Sequence, residues 1–243
     1  MRLSKRIYAI CDAVKSGETI ADVGTDHGYV PMLLIRNNVS PYAIMADISD
    51  GSLSKARQTF EQCCIETEPN QFRLGDGLEC INNGEVDDII IGGLGGLTIS
   101  EILDADEAKT RSFRKLILQP RKHSGNLRHY LYTHGYDIVS ETLVPEGKFV
   151  CEIFCAVPAE EPRREELYPV DDIRWKYPMT LADADIELLN KRVGWKIDSI
   201  EEEINNLNKS KRNVSAEIEQ LEADRIYLRS LLDKCQENSS GMK

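Results

Sequence analysis

The sequence predicts an α/β fold: a Rossmann-like domain with a mostly parallel sheet, followed by a C-terminal α-helical coiled-coil hairpin. Three observations carry that reading. Short apolar runs alternate with helix-patterned segments over residues 1–158, and glycine- and aspartate-bearing turns follow the apolar runs. Beyond about residue 184, apolar residues recur at heptad spacing.

Residues 2–14 read as an amphipathic helix with Leu3, Ile7, Ile10, Cys11 and Val14 on one face. A short buried strand follows at 19–23, a helix at 30–36, a strand at 43–46 and a helix at 52–65. Strands at 72–74 and 86–91, a helix at 99–103, a strand at 115–118 and a helix at 126–134 continue the alternation. Residues 136–144 and 149–157 are two strand-like runs separated by Pro145-Glu-Gly-Lys148, a hairpin signal. The sheet expected from this order is mostly parallel with one antiparallel strand.

The pattern changes at Pro158. Four of the nine prolines fall in 158–178, so 159–182 reads as a linker strapped along the surface. Residues 183–236 then form the coiled-coil domain, and 237–243 a disordered tail. Ile186, Val193, Ile200, Leu207, Val214, Leu221 and Leu228 stand seven apart. Ile197, Ile204, Ile218 and Leu232 add a second seam, interrupted by Asn190, Lys211 and Arg225. Asn205, Asn206, Asn208, Ser210 and Asn213 lower helix propensity midway. Two helices folded back as an antiparallel hairpin fit this, in a monomer; the alternative is one unbroken helix making a dimer.

The chain of 243 residues carries a net charge of −11, with 41% hydrophobic and 29% charged residues, which suits a globular domain with a sizeable core. It has no long apolar run, so neither a signal peptide nor a membrane span is expected. Seven cysteines without a Cys-x-x-Cys pair suggest free thiols in a reducing cytoplasm and no metal site. An acidic protein is a poor overall nucleic-acid platform. However, residues 108–130 contain no acid and seven cations, namely Lys109, Arg111, Arg114, Lys115, Arg121, Lys122 and Arg128. That stretch is either a local polyanion-binding face or a solvated helix face.

The first turn reads Asp22-Val-Gly-Thr-Asp-His-Gly28. Gly24 permits a tight turn and close ligand approach, but a dinucleotide-type Gly-x-Gly-x-x-Gly is broken by Asp26 and Tyr29. Asp26 would repel a phosphate at a helix N-terminus. S-adenosylmethionine, cationic at its reacting end, tolerates such carboxylates. Asp47, 23 residues after Gly24, suits ribose hydroxyls. Gly75-Asp76-Gly77 offers a carboxylate to an adenine amine, and Ile91-Gly-Gly-Leu-Gly-Gly96 opens space for the transfer centre. Each lies at the end of a successive strand, where open α/β sheets bind ligands.

Leu3-Ser-Lys-Arg6, Ala21-Asp-Val-Gly-Thr-Asp-His-Gly-Tyr-Val-Pro31, Gly75-Asp-Gly-Leu78, Ile91–Gly96 and Leu118-Gln-Pro120 with Leu127-Arg128 resemble the bacterial tRNA (adenine(22)-N1)-methyltransferases, the TrmK family. With the helical hairpin, the resemblance spans nearly the whole chain. Two places depart from it: Ala46-Asp-Ile48 stands for Gly-Glu-Val or Gly-Glu-Ile, and Arg121 for Asn. The resemblance implies methyl transfer from S-adenosyl-L-methionine to N1 of adenine 22 in tRNA, without membrane or metal. It implies a cofactor site of Asp22, Gly24, His27, Asp47, Ile48, Asp76, Gly77, Gly92 and Gly93. Asp26 is the catalytic candidate, stabilising the cationic product ring or holding the exocyclic amine; the alternatives are binding the cofactor's ammonium or capping the next helix. His27 either bonds the cofactor carboxylate or packs on the helix, and Tyr29 either stacks on a base or fills the core. Arg121, Lys122 and Arg128 are candidate phosphate contacts, with the hairpin (Lys191, Arg192, Lys209, Lys211 and Arg212) as a second one.

Overall fold

Seven strands form one sheet in the order β3-β2-β1-β4-β5-β7-β6. They are β1 (Ile20–Val23), β2 (Ala43–Asp47), β3 (Phe72–Leu74), β4 (Asp88–Gly92), β5 (Lys115–Gln119), β6 (Tyr136–Glu146) and β7 (Phe149–Pro158). The computed structural model describes residues 3–147, 149–161, 164–165, 167–178, 186–210 and 212–240, without the side chains of 234–240. Strands β1 to β5 are parallel neighbours, and β7 runs antiparallel to both β5 and β6. The single antiparallel strand expected from the sequence is therefore β7.

Two apolar layers sandwich the sheet. Helices α1 (Lys5–Asp12), α2 (Tyr29–Arg36) and α3 (Asp50–Gln62) pack on one face around Ile20, Ala43, Met45, Ile90 and Ile117. Helices α4 (Gly96–Asp104) and α6 (Ser124–Thr133) pack on the other, around Ala21, Ile44, Ile89, Ile91, Leu116 and Leu118. Neighbouring strand residues feed opposite layers, which is why these strands read as unbroken apolar runs. Side chains such as Ile20, Ile89 and Leu116 are fully buried, each worth about 1.5–3 kcal/mol.

Strand β4 starts later than its apolar run suggests. The Asp87 carboxylate accepts from the Thr19 N–H (2.9 Å) and hydroxyl (2.8 Å), so both residues close a loop ahead of the ladder. The sequence reading also missed α5 (Glu107–Thr110), a single turn whose N-cap Asp106 accepts from the Lys109 N–H at 3.0 Å.

The expected linker is corrected by the structure. The chain divides into two compact units, Met1–Thr180 and Leu181–Lys243. Ala159, Ile173, Trp175 and Tyr177 are all buried, and a short 3₁₀ turn, Ile173–Lys176, seats Trp175 against His129, Tyr132 and Tyr168. Residues up to 178 thus belong to the first unit; the proline-rich composition hid one of its largest buried side chains. Residues 179–185, which hold the expected start of the helical domain, lie outside the described residues.

In the second unit, α7 (Ile186–Leu207) and α8 (Ser215–Ser240) are separate helices. The break falls at the asparagine cluster, which decides against one unbroken helix. Arg229 and Arg225 both reach Glu201, at 2.9 and 3.7 Å, so α8 folds back along α7. Leu189, Val193, Ile200 and Ile204 are buried on α7, and Leu228 and Leu231 on α8. The helix also runs through Ser240, into the tail expected to be disordered; residues 2, 211 and 241–243 lie outside the described residues.

Candidate functional site

The carboxyl ends of β1, β2, β3 and β4 open into one cleft of about 1030 Å³. Leaving β1, the chain turns at Gly24, whose φ of +76° is a left-handed conformation that a side chain would strain. A Cβ there would lie 3.9 Å from its nearest neighbour, Leu94, so the turn is open towards the cleft. Asp22 stands just before it, buried, with one carboxylate oxygen accepting from the Thr25 hydroxyl at 2.7 Å. Burial pushes the Asp22 carboxyl up to about 6; the Thr25 bond opposes this, nearby Asp47 adds to it and Arg6 opposes it.

Gly24, Asp26, His27, Tyr29, Asp47, Ile48, Asp76, Gly77, Gly92 and Gly93 also line this cleft. The Asp47 carboxylate accepts from the Ser49 N–H at 2.8 Å, which fixes its orientation at the strand end. Ile48 is 70% exposed and offers an apolar surface beside it. Asp26 has φ +36° and an exposed carboxylate, 2.8 Å from Lys55 Nζ and 3.6 Å from His27 Nε2. Helix α2 takes its N-cap at Gly28 without a side-chain bond, so Asp26 does not cap it. His27 and Tyr29 are partly exposed and stack on each other, ring centroids 5.1 Å apart and 4° from parallel. The arrangement gathers carboxylates around an open turn. That suits a cationic ligand with a hydroxylated sugar and repels a pyrophosphate.

Three residues of the site escaped the sequence reading. Gln119, buried at the end of β5, accepts with Oε1 from Arg6 Nη1 (2.9 Å) and from the Gly93 N–H (3.2 Å). Its Nε2 donates to the Pro120 carbonyl at 3.0 Å, so the amide is held at both ends. Arg6, which lines the cleft, also pairs with Glu146 at 3.2 Å and ties α1 to the Gly92-Gly93 turn. Lys55 is the third, through its bond to Asp26. The available signal was the place of Arg6 and Gln119 within Leu3-Ser-Lys-Arg6 and Leu118-Gln-Pro120, two of the stretches that carry the resemblance.

A methyltransferase-domain family model matches residues 3–154. A tRNA (adenine(22)-N(1))-methyltransferase of Bacillus subtilis is 35% identical over 156 residues, covering 64% of this chain and 65% of that protein. The aligned part therefore spans just under two thirds of that relative's length. The crystal structure of the B. subtilis M1A22 tRNA methyltransferase TrmK superposes with a TM-score of 0.68 at 25% identity, over 97% of this chain and 98% of that one. M. capricolum TrmK in complex with S-adenosyl-homocysteine superposes at 0.69 with 26% identity, over 96% and 99%. The chain belongs to the methyltransferase-domain family.

In this methyltransferase-domain chain the basic stretch is mostly structural. Lys115 is buried between Glu18 (2.5 Å) and Asp88 (2.9 Å). Arg111 donates to the carbonyls of His134, Gly135 and Ala159, Arg114 pairs with Asp87, and Lys109 donates to the Leu78 carbonyl. Arg128, expected on tRNA phosphates, is corrected outright. It is 0% exposed and held by Glu141 and Glu152, out of reach of any phosphate. Arg121 and Lys122 are the exposed cations of that expected trio, with Arg121 on the rim of the cleft. Their loop is pinned where Gly96 N–H donates to the Lys122 carbonyl at 2.7 Å. A Cβ at Gly96 would fall 2.2 Å from the His123 carbonyl oxygen, which only glycine avoids.

Proposed function

We propose that the chain is an S-adenosyl-L-methionine-dependent methyltransferase acting on N1 of adenine 22 of tRNA, working in the cytoplasm as a monomer. The observation that carries the reading is the convergence of four strand-end turns, with Asp22, Asp47 and Asp76, on one cleft in a methyltransferase-domain fold. The cofactor-bound relative adds support. Asp47 would accept from the ribose hydroxyls, Asp76 from the adenine amine, and Asp22 would face the cationic amino-acid end. Gly24, Gly77, Gly92 and Gly93 would leave room for its close approach, Ile48 would offer an apolar surface to the adenine, and His27 would bond the cofactor carboxylate.

Bound there, S-adenosylmethionine supplies an electrophilic methyl on a sulfonium. Adenine N1 already offers a lone pair, so the protein need not remove a proton before attack. Its work is alignment and exclusion of water. The methylated ring becomes cationic, and Asp26 stabilises that charge at the cleft mouth, with Lys55 holding the carboxylate until the base arrives. Tyr29 offers its face to the target base. Arg121 and Lys122 meet flanking phosphates.

The decisive experiment is methylation of unmodified tRNA bearing A22 by the purified chain with labelled cofactor, mapping the product. Methyl at N1 of A22 is expected, with none on an A22→G transcript; methyl elsewhere overturns the site assignment. Asp26→Ala is expected to cut the single-turnover rate by about 10²-fold while leaving cofactor affinity within a few-fold. A loss confined to cofactor affinity would reassign Asp26 to the cofactor's ammonium. The pair Arg121→Ala and Lys122→Ala is expected to weaken tRNA binding and flatten its salt dependence by about 0.7–0.9 in log–log slope per lost phosphate contact. An unchanged slope would remove both from the RNA surface.

A further inference from the structure

Strand β6 runs parallel to β1–β5, so the β6–β7 turn lies at the same sheet edge as the cleft. Leu118 of β5 faces Phe154 of β7, which puts the strand end Gln119 level with Ile153. The hairpin continues four residues further, to the facing pair Glu146 and Phe149, so it projects about 13 Å beyond the end of β5. At that tip Phe149 is 77% exposed, the largest exposure among the described large apolar side chains. Phe149 opens β7 directly after the turn, so its bare ring stands on the edge that carries the cleft, where it is placed to meet a ligand.

The surroundings specify which partner. Directly across from Phe149, Glu146 holds Arg6, the arginine that lines the cleft, and accepts from the Cys151 thiol at 3.0 Å. Arg121 lines the cleft at the same edge of the sheet. An exposed ring at the tip of a two-stranded finger thus faces the carboxylate that holds Arg6, on the edge of the sheet where Arg121 also lines the cleft. Aromatic ring plus cation is the combination that grips single-stranded nucleic acid, because every base presents a π face and every nucleotide a phosphate. A membrane or an apolar protein groove would instead want a contiguous apolar patch, and the neighbours Glu146 and Gly147 do not supply one.

We propose that Phe149 is a stacking wedge that takes the place of the target adenine in its helical stack and holds the flanking base while the adenine enters the cleft. This rests on the tRNA reading above. N1 lies on the Watson–Crick edge, so an adenine in a folded tRNA must leave its stack to present it. Phe149 is a positioning residue: it does not line the cleft and touches neither the cofactor nor the reacting atoms.

The test compares wild type, Phe149→Ala and Phe149→Trp on folded tRNA, with 2-aminopurine at position 22 of a second transcript as the reporter of unstacking. Phe149→Ala is expected to lower kcat/KM by about ten- to a hundredfold, the loss of one base–aromatic stack. It is expected to keep the cofactor affinity and melting temperature of wild type and to lose the fluorescence rise on tRNA binding. Phe149→Trp restores both readouts. Wild-type turnover and fluorescence in Phe149→Ala overturn the wedge, as does a loss of turnover with the rise intact. A wild-type chain that methylates no tRNA overturns the proposed function itself, a result distinct from either.

Discussion

Asp22→Asn is expected to stabilise the ligand-free protein and to cripple cofactor binding at once. The carboxyl is raised from its ordinary 3.8 to about 6 chiefly by burial. A raised folded-state pKa means that the associated stability is fully present below about pH 4 and is lost as pH rises through about 6. A shift of that size corresponds to about 3 kcal/mol at neutral pH. Asparagine keeps an acceptor for the Thr25 hydroxyl and removes the buried charge. Denaturant unfolding at pH 8 is therefore expected to show the variant more stable by up to about 3 kcal/mol, with the advantage vanishing near pH 4. Cofactor affinity moves the other way. A buried carboxylate facing a cation is worth far more than one in water, and its loss is expected to weaken S-adenosylmethionine about a hundredfold by calorimetry. In wild type the affinity is expected to be flat above about pH 7 and to fall tenfold per unit well below 6, since only the ionised form attracts the cation. The variant has no such limb. Equal affinity in variant and wild type at pH 8 would take Asp22 out of the cofactor site, leaving only an ill-placed charge.

Such a charge explains why part of the site was legible in sequence. A carboxylate, a glycine and a second carboxylate between an apolar run and a helix suggest a ligand turn, so Asp22, Gly24 and Asp26, which all line the cleft, stood out within five residues. Asp47, Asp76 and the Gly92–Gly96 run did so by repeating the theme at each strand end. The heptads likewise announced α7 and α8, and the asparagines their break. Gln119 and Arg6 stood in stretches that carried the resemblance, but their role went unassigned because their bond joins positions 113 apart. The cations of 108–130 misled for the converse reason. Composition counts charges but not their partners, and the partners of Lys115 and Arg128 lie on distant segments, Glu18 and Asp88 for one, Glu141 and Glu152 for the other. The proline-rich strap failed similarly, since Trp175 finds its pocket on α6.

Arg128→Ala is expected to be the most damaging single substitution away from the cleft, and to damage folding rather than RNA binding. Each guanidinium nitrogen has an acceptor: Nε donates to Glu141 at 2.6 Å, one Nη to Glu152 at 2.5 Å and the other to the Trp175 carbonyl at 3.0 Å. Its plane also lies against Phe154, with Cζ 4.4 Å from the ring centroid. One side chain thus joins α6, both strands of the hairpin and the 173–176 turn. Removing it takes the cation from beside two interior carboxylates, at a cost of about 3–5 kcal/mol. Against a total of about 5–15 kcal/mol for a typical domain, that is a large fraction. Urea unfolding should report it, together with loss of the near-ultraviolet signal of Trp175. Arg128→Lys should not rescue, because an ammonium cannot satisfy three acceptors in a planar fork. A triple replacement, Arg128→Met with Glu141→Leu and Glu152→Leu, should recover much of the loss, since an apolar set of similar volume needs no partners. A variant lacking Arg128 that melts like wild type and binds tRNA with a flattened salt slope would restore this arginine to the phosphate-binding role the sequence suggested.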